Sequence, residues 1–420
     1  MQKFEDMKVP FCLPLIDQDV IDEVNDCLIN TGWLTTGPKV RELENNISKL
    51  TKVKNTLCVN SWTSGAMLIL RWFGIGVGDE VIIPAYTYSA TALCAMNIGA
   101  KIVMVDVNED FNISAQNINE AITKNTKAII PVDIGGWPCD YKQIMSVVNS
   151  TGTKEIFHPN NVRQEKLTRP IVLSDSAHSI GAIYEGESAA QWGDFTIYSL
   201  HSVKNITAGE GGAIAINLPA PFDNDAEYNF LKALALNGQN KSAFEKNQLG
   251  SWRYDIIDQG LKINMPDICA SIALAQIRKY SSTMLPERMK IFEYYNSVFK
   301  HHDWAILPPY KNEKKVSSCH LYVLRFKGIS ESERDQMIQF ISSRNVGVNV
   351  HYIPMAMLTL FKNNGYDIND YPTTYNLYQN LITLPVYNGL NMDQLEYVTK
   401  VVIESFNVVS KSQILENTSE

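Results

Sequence analysis

Lys204 lies between an apolar segment and a glycine-rich turn, and this position makes it a candidate nucleophile. Residues 195–200 are β-branched and aromatic, as in a buried strand, and glycines 209, 211 and 212 follow closely. Functional groups of α/β proteins collect at the ends of such strands. Burial lowers the pKa of a lysine, and the neutral amine then forms an imine with an aldehyde. Most lysines are solvated surface groups, so the assignment depends on the neighbouring motifs.

Asp175 supplies a carboxyl group at the end of another apolar run, residues 171–173. If an aldehyde cofactor with a pyridine ring binds there, a buried aspartate keeps the ring nitrogen protonated. The alternative is that Asp175 only caps the following helix. His178, three residues further on, is either a hydrogen-bond partner for a phenolic oxygen of the cofactor or an ordinary core histidine.

Two further strand ends carry groups that suit the same cofactor. Thr63 and Ser64 belong to a short hydroxyl-rich segment, 60–65, that precedes a predicted helix. Amide groups at a helix N-terminus and neighbouring hydroxyls bind phosphate, although an ordinary N-cap is the alternative. Tyr88 follows the apolar run 81–83 and is placed to stack on a flat ring, although such tyrosines often only pack. The four strand ends together predict one pocket.

The elements that must position these groups alternate along the chain. Seven β-rich runs are separated by segments of helical character: 57–59, 81–83, 102–107, 128–132, 171–173, 195–200 and 213–216. This alternation predicts an α/β fold with a mainly parallel sheet covered by helices. The polar segment 150–169 interrupts the alternation and is predicted as a long surface loop without secondary structure.

The length of 420 residues exceeds the roughly 250 to 300 residues at which one core stops growing, which predicts two domains. Residues 1–250 form an N-terminal helical arm and the large cofactor-binding domain. Residues 251–420 form a smaller α+β domain with a long connecting helix. Its predicted elements are helices at 265–280, 287–299, 332–342 and 393–406 and strands at 321–326 and 348–352.

Composition excludes several classes of protein. Hydrophobic residues make up 45% of the chain and charged residues 20%, and no apolar run approaches the roughly 18 residues of a membrane span. A net charge of -8 without a basic cluster argues against nucleic acid as a partner. The seven scattered cysteines and the absence of a secretory pattern predict a cytoplasmic protein. The pair His301-His302 has no further ligand at suitable spacing, so no metal site is predicted.

The ordered motifs resemble the DegT/StrS-like family of pyridoxal-phosphate-dependent nucleotide-sugar aminotransferases, which have the fold type I of aspartate aminotransferase. The resemblance extends over residues 13 to 405. It rests on Gly32-Trp33-Leu34-Thr35-Thr36-Gly37-Pro38, Gly78-Asp79-Glu80-Val81, Asp175-Ser176-Ala177-His178, Ser199-Leu200-His201-Ser202-Val203-Lys204, Gly209-Glu210-Gly211-Gly212 and Lys262-Ile263-Asn264. It implies a seven-stranded sheet in the large domain.

The resemblance also implies a role for each candidate residue. Lys204 would carry the imine link to pyridoxal 5'-phosphate, and Asp175 would pair with its pyridine nitrogen; these are the catalytic candidates. The other cofactor contacts would be Tyr88 on the ring, His178 near the 3-hydroxyl, Thr63, Ser64 and Ser199 at the phosphate, and Asn264 at the phosphate from the partner subunit of a homodimer.

The implied reaction moves an amino group from glutamate to a keto group of a nucleotide-linked sugar, a 4-keto-6-deoxy sugar for polysaccharide synthesis. The alternatives are a sugar dehydratase or another fold type I enzyme, or a non-catalytic regulator that binds the cofactor. Dehydratase relatives replace the lysine with histidine, so Lys204 argues against that branch. Trp62 and the insertion 150–169 depart from the family pattern, and both are interpreted as affecting the choice of sugar.

Overall fold

The computed structural model describes residues 7–417, with side chains through residue 410. Its strands are β1 (Asn55–Val59), β2 (Glu80–Pro84), β3 (Lys101–Val105), β4 (Thr126–Ile129), β5 (Ile171–Asp175), β6 (Ile183–Tyr184), β7 (Glu187–Ser188), β8 (Phe195–Ser199), β9 (Gly212–Ile216), β10 (Ala305–Ile306), β11 (Lys315–Val316), β12 (Tyr322–Phe326) and β13 (Leu381–Leu384).

The α-helices carry most of the connections between these strands. They are α1 (Gln18–Asp26), α2 (Pro38–Thr51), α3 (Trp62–Trp72), α4 (Ala90–Met96), α5 (Ala115–Ala121), α6 (Tyr141–Asn149), α7 (Thr151–Ile156), α8 (Val162–Leu167), α9 (Asn224–Leu234), α10 (Ala243–Lys246), α11 (Asp267–Lys279), α12 (Leu285–Phe299), α13 (Glu331–Ser343), α14 (Thr359–Asn363), α15 (Pro372–Gln379) and α16 (Met392–Asn417).

A seven-stranded sheet forms the centre of the large domain, in the order β1-β9-β8-β5-β4-β2-β3. The pairings among β3, β2, β4, β5 and β8 are parallel, whereas β9 is antiparallel to both β1 and β8. The chain passes from β8 to β9 through a loop without a crossover helix, and such a connection produces an antiparallel pair. That loop carries Lys204. The predicted α/β architecture and all seven predicted strands are confirmed.

Helices cover both faces of this sheet. On one face, α3 and α4 pack on the sheet through an apolar core that includes Trp62 and Phe195. On the other face, α2 and α11 enclose a second core around Leu43 and Leu274. Because apolar side chains on two faces are removed from water, the strands between them are fixed in position, and so are the polar residues at their ends.

A smaller unit is built on the sheet β10-β12-β13, which packs against α12, α13 and α16 through its own apolar core. The N-terminal segment joins this unit, because Val9 lies in that core and pairs with Val346. Helix α11 instead packs with the large domain. The predicted division at residue 250 stays a prediction, and this packing favours a boundary close to the start of α12.

Two local predictions were wrong. The segment 150–169 contains α7 and α8, whose first turns are capped by the side chains of Ser150 and Asn161. Asn161 and Gln164 also donate hydrogen bonds to the carbonyl of Phe73, at the C-terminal end of α3. The predicted strand 348–352 is absent from the described residues; that segment makes a single bridge, Asn349 with Thr383. Within residues 7–417, no helix has both the length and the apolar character to cross a membrane.

Candidate active site

A cavity of about 410 Å³ lies at the carboxyl ends of β5 and β8, between the large domain and the smaller unit. Six of the eight predicted site residues line it: Thr63, Tyr88, Asp175, His178, Ser199 and Lys204. Ser64 and Asn264 do not line it. The structure therefore brings together, in one enclosed space, groups that lie up to 141 positions apart along the chain, from Thr63 to Lys204.

Lys204 lies in the loop from β8 to β9, where its backbone N–H donates to the carbonyl of His201 in a tight turn. Burial lowers the pKa of its amine to about 8, and the nearby Asp175 opposes this change. Among residues 7–410 the amine has no hydrogen-bond acceptor or ion-pair partner. A substantial neutral fraction at pH 7 to 8 suits nucleophilic attack on an aldehyde.

Asp175 is the last residue of β5 and is buried. Its Oδ2 accepts a hydrogen bond from Thr91 Oγ1 at 2.8 Å, and its Oδ1 accepts one from the backbone N–H of Ala177 at 3.2 Å. Burial raises the pKa of the carboxyl group to about 7, while these hydrogen bonds and Lys204 favour the ionised form. A cation at this carboxyl group would bring its pKa down and hold it ionised.

The first turn of α3 presents backbone amides beside hydroxyl groups. Ser61 caps the helix, since its Oγ accepts from the N–H of Ser64 at 3.1 Å, and the two hydroxyls also bond to each other. The backbone N–H groups of Trp62 and Thr63 have no acceptor among the described residues. Ser64 thus stabilises the cap, and Thr63 is the residue of this predicted pair that lines the cavity.

Gly212 allows this helix end to approach Ser199. It pairs with Val59 of β1 on one side and with Ser199 of β8 on the other. A Cβ atom at Gly212 would lie 2.6 Å from the carbonyl carbon of Ser61, closer than packing tolerates. The glycine therefore lets the hydroxyl of Ser199 share an edge with the α3 N-terminus, where an anion is favoured.

The two predicted ring contacts, Tyr88 and His178, both lie beside Tyr352. Tyr88 is 60% exposed, and its ring is 5.6 Å from that of Tyr352. His178 is buried; its Nδ1 accepts from the N–H of Gly135 at 3.2 Å, and its Nε2 is 3.0 Å from the hydroxyl of Tyr352. Both nitrogens of His178 are therefore occupied, so a contact with a cofactor hydroxyl would replace the bond to Tyr352.

Asn264 lies away from the cavity in its own chain. Its Nδ2 donates to Thr36 Oγ1 at 2.7 Å, its Oδ1 accepts from Lys262, and the residue pairs with Val59. The predicted contact with a phosphate would have to come from a second copy of the chain, as the resemblance implies. The individual roles of the site residues stay predictions.

Comparisons with known proteins decide the family. The model of the DegT/DnrJ/EryC1/StrS aminotransferase family matches residues 14–158 and 163–403. This chain belongs to that family. The structure is similar to a putative sugar aminotransferase, Spr1654, from Streptococcus pneumoniae in its PMP form, with a TM-score of 0.91 and 39% identity over 96% of this chain and 100% of that one. A PLP form of the same protein is also similar.

Two curated relatives extend the comparison. The spore coat polysaccharide biosynthesis protein SpsC of Bacillus subtilis is 31% identical over 94% of this chain and 96% of its own length. The UDP-4-amino-4-deoxy-L-arabinose--oxoglutarate aminotransferase of Shewanella sediminis is 30% identical over 94% and 97%. The predictions of fold type I, of a sugar aminotransferase and of pyridoxal phosphate as the cofactor are confirmed.

The cavity of this aminotransferase fits the cofactor chemically. It encloses an amine without a hydrogen-bond acceptor, a buried carboxyl group and an anion site with two unpaired amides. These are the partners required by an aldehyde, a ring nitrogen and a phosphate, respectively. Within the described residues, no group of three His, Cys, Asp or Glu side chains is arranged to hold a metal ion.

Residues of the smaller unit that line the cavity were missed by sequence reasoning. His320 and Leu321 precede β12, and Leu384 and Val386 lie at the end of β13 and just beyond it. Cys12, from the N-terminal segment, contacts the carbonyl of Val203. A histidine directly before an apolar strand was the available signal, whereas Asp175 was identified at the end of one.

The insertion 150–169 lies far from the reacting groups. It contacts the C-terminal end of α3, whereas the N-terminal turn of that helix faces the cavity. An eleven-residue helix is about 16 Å long, so the insertion has no direct contact with the anion site. Trp62 packs into the core and also lines the cavity. The position of the insertion does not support the interpretation that it selects the sugar, whereas the position of Trp62 is compatible with that interpretation.

Proposed function

We propose that this aminotransferase moves an amino group from glutamate to the keto group of a nucleotide-linked 4-keto-6-deoxy sugar, for polysaccharide synthesis in the cytoplasm. The observation that carries the proposal is that the Lys204 amine and the Asp175 carboxyl group share one enclosed cavity, each with a pKa close to neutrality. The Shewanella relative is named for a UDP-linked amino sugar and oxoglutarate, and the Bacillus relative for a coat polysaccharide.

Each predicted residue that lines the cavity has a role in this reaction. When bound, pyridoxal phosphate supplies an aldehyde and an electron-withdrawing ring. Asp175 holds the positive charge at the ring nitrogen, and Tyr88 packs against the ring face. Thr63 and Ser199, with the first amides of α3, hold the phosphate through hydrogen bonds. His178 orients the ring from the side of its phenolic oxygen.

Lys204 acts as both anchor and proton carrier. Its amine would hold the cofactor through the aldehyde group, and the free amine would carry the proton. A free amine with a pKa of about 8 both accepts and returns a proton near neutral pH, which is the requirement for moving a proton between two carbons.

A homodimer is part of the proposal. Large apolar side chains are exposed in the segment before Asn264, among them Leu249 and Trp252, the latter at 70% exposure. Exposed apolar surface of this kind is typical of protein interfaces. Since Asn264 lies outside the cavity of its own chain, its proposed phosphate contact requires a second copy.

A mixing experiment tests this arrangement. Lys204→Ala and Asn264→Ala proteins are purified separately, unfolded, mixed in equal amounts and refolded. If Asn264 serves the partner's cavity, the mixed dimers contain one complete site, and about a quarter of the wild-type activity returns. Light scattering checks the dimer. No recovered activity from correctly mixed dimers would contradict shared sites.

The reaction itself is tested in two stages. First, glutamate alone is added to the reconstituted enzyme. The loss of the cofactor absorbance band at about 410 to 430 nm is measured together with the release of 2-oxoglutarate. Second, a panel of nucleotide-linked 4-keto and 3-keto sugars is supplied with glutamate, and the products are identified by mass. An enzyme that performs no half-reaction with any amino acid would contradict the transferase assignment.

A further inference from the structure

The wall of the cavity that comes from the smaller unit contains a histidine with one free ring nitrogen. His320 is 5% exposed and lines the same cavity as Lys204 and Asp175. Its ring centroid is 4.4 Å from that of His178. No role for His320 follows from the functional assignment above.

Asn205, the residue directly after Lys204, fixes the protonation of this ring. Its Nδ2 donates to the carbonyl of Ser318 at 2.8 Å and to the hydroxyl of Tyr280 at 3.1 Å. A carbonyl oxygen only accepts, so the amide cannot be turned round. Its Oδ1 therefore faces Nδ1 of His320, at 2.8 Å, and Nδ1 must carry the hydrogen.

The other ring nitrogen consequently has a lone pair. Burial lowers the pKa of His320 well below its ordinary value, and the nearby His178 and Lys204 lower it further, so the ring is neutral. In a neutral ring with a hydrogen on Nδ1, Nε2 is an acceptor. It has no partner among residues 7–410, and it is not among the side-chain nitrogens sealed from solvent there.

The neighbouring His178, in contrast, has no ring nitrogen with a free lone pair. Gly135 donates to Nδ1 of His178, so its hydrogen lies on Nε2 and points to the hydroxyl of Tyr352. The two neighbouring rings thus have opposite tautomers. His178 uses both nitrogens within the protein, whereas His320 keeps an acceptor for something that enters the cavity.

We infer that Nε2 of His320 accepts a hydrogen bond from the reacting amine. Two sources have this chemistry: the amine of Lys204, and the amino group of the amino-acid donor. The second source rests on the proposed function, and the first does not. In either case the contact orients the nitrogen whose lone pair must attack the aldehyde carbon, and Asn205 links this acceptor directly to the loop of Lys204.

Two substitutions separate the acceptor from the packing of the ring. His320→Leu fills the space without an acceptor, and His320→Gln returns an acceptor oxygen without an imidazole. His301→Gln, at an exposed histidine, is the matched control. Each protein is examined as apoprotein and after reconstitution with pyridoxal phosphate.

The first experiment, the Lys204 arm, measures how much pyridoxal phosphate the apoprotein binds covalently at each pH. Borohydride traps the covalent product, and mass spectrometry measures its amount. An acceptor favours the ammonium over the amine, so His320→Leu should move the midpoint of capture down by about half a pH unit.

The second experiment, the donor arm, measures the glutamate concentration that gives half-maximal conversion, which should rise about tenfold in His320→Leu. Glutarate, which has no amine, should compete equally well in wild type and variant. If the Lys204 arm responds, His320→Gln should restore the wild-type pH midpoint of capture. If the donor arm responds, His320→Gln should bring the half-maximal glutamate concentration to within about threefold of the wild-type value.

The inference is overturned if His320→Leu leaves both arms unchanged, if His320→Gln fails to restore the arm that moved, or if glutarate binding falls in parallel. Should His320→Leu not fold, nitrogen-15 spectra of histidine-labelled wild-type apoprotein decide the matter. These spectra should show that Nδ1 of His320 is protonated and that Nε2 is not. A protonated Nε2 would contradict the inference. Wild-type protein that captures no cofactor would contradict the proposed function, while these spectra would still test the acceptor.

Discussion

Asp175 and Glu44 are two buried carboxyl groups whose pKa values are raised to about the same level in different surroundings. Burial raises the pKa of each to about 7. Asp175 ends β5 and opens on the cavity with Lys204 nearby. Glu44 lies on α2, where its oxygens accept from the N–H of Cys58 at 2.9 Å and from the hydroxyl of Tyr228 at 3.0 Å.

The comparison shows that a perturbed pKa does not by itself identify a functional carboxyl group. The hydrogen bonds of Glu44 come from the protein, and Glu44 does not line the cavity that contains Lys204, so burial simply favours its neutral form. Asp175 also has protein donors, but its charge becomes favourable when a cation enters the cavity. Access and a potential counter-charge distinguish the functional group, and the substitutions below test that difference.

Lys204→Ala should have the largest effect. Removal of the amine eliminates both the covalent anchor and the proton carrier, so the glutamate half-reaction should slow by at least about 10³-fold. Absorbance and borohydride trapping should show no covalent capture of pyridoxal phosphate. Lys154→Ala, at an exposed lysine, should behave as wild type. Covalent capture that survives in Lys204→Ala would place the nucleophile elsewhere.

Asp175→Asn should have the next largest effect. The amide retains the shape and an acceptor oxygen but cannot hold a positive charge at the ring nitrogen, so the half-reaction should slow by about 10²-fold while covalent capture persists. Stopped-flow absorbance separates the two events. Glu44→Gln neutralises the matched carboxyl group and should leave the rate unchanged. Equal losses in both variants would mean that general destabilisation explains the effect.

Sequence reasoning predicted the wall of the cavity from the large domain better than the wall from the smaller unit. Asp175 and Lys204 follow apolar strands of one parallel sheet, and the ends of such strands must share an edge. His320 precedes an apolar strand of a separate sheet, β12, and nothing in the local pattern shows how the two units pack. The helices α7 and α8 were missed because their turns depend on the side-chain caps of Ser150 and Asn161. Caps of short helices resemble ordinary loop residues in a sequence.

Thr91→Val should have a smaller effect that acts through Asp175. The hydrogen bond from the Thr91 hydroxyl favours the ionised carboxyl group, so its loss should raise the pKa of Asp175 further, by roughly 0.7 units. The acidic limb of the half-reaction's pH profile should move upward by that amount. Thr51→Val removes a buried hydroxyl that donates to the carbonyl of Ile47 and accepts from the N–H of Val53, and because Thr51 does not line the cavity the limb should not move. If the acidic limb of the pH profile does not shift in Thr91→Val, a group other than Asp175 controls that limb.

Glu44→Gln should change stability and leave activity intact. The unfolded carboxyl group releases its proton near pH 4.5, whereas the folded one retains it to about pH 7. The folded protein therefore binds more protons in this interval, and the free energy of unfolding should fall as pH rises through it, by about 3 kcal/mol in total. A glutamine has no charge to desolvate and still pairs with both Cys58 and Tyr228, so urea unfolding of the variant should depend less on pH.

Glu120→Gln, at an exposed carboxyl group, should keep the wild-type slope, and an unchanged slope in Glu44→Gln would contradict the argument. The same stability measurement on Asp175→Asn, with and without cofactor, compares the two carboxyl groups directly. Asp175→Asn should stabilise the apoprotein above pH 7 for the same reason as Glu44→Gln, yet only at Asp175 should that gain disappear when pyridoxal phosphate binds. A carboxyl group that destabilises the empty protein and is compensated by its ligand is retained for function.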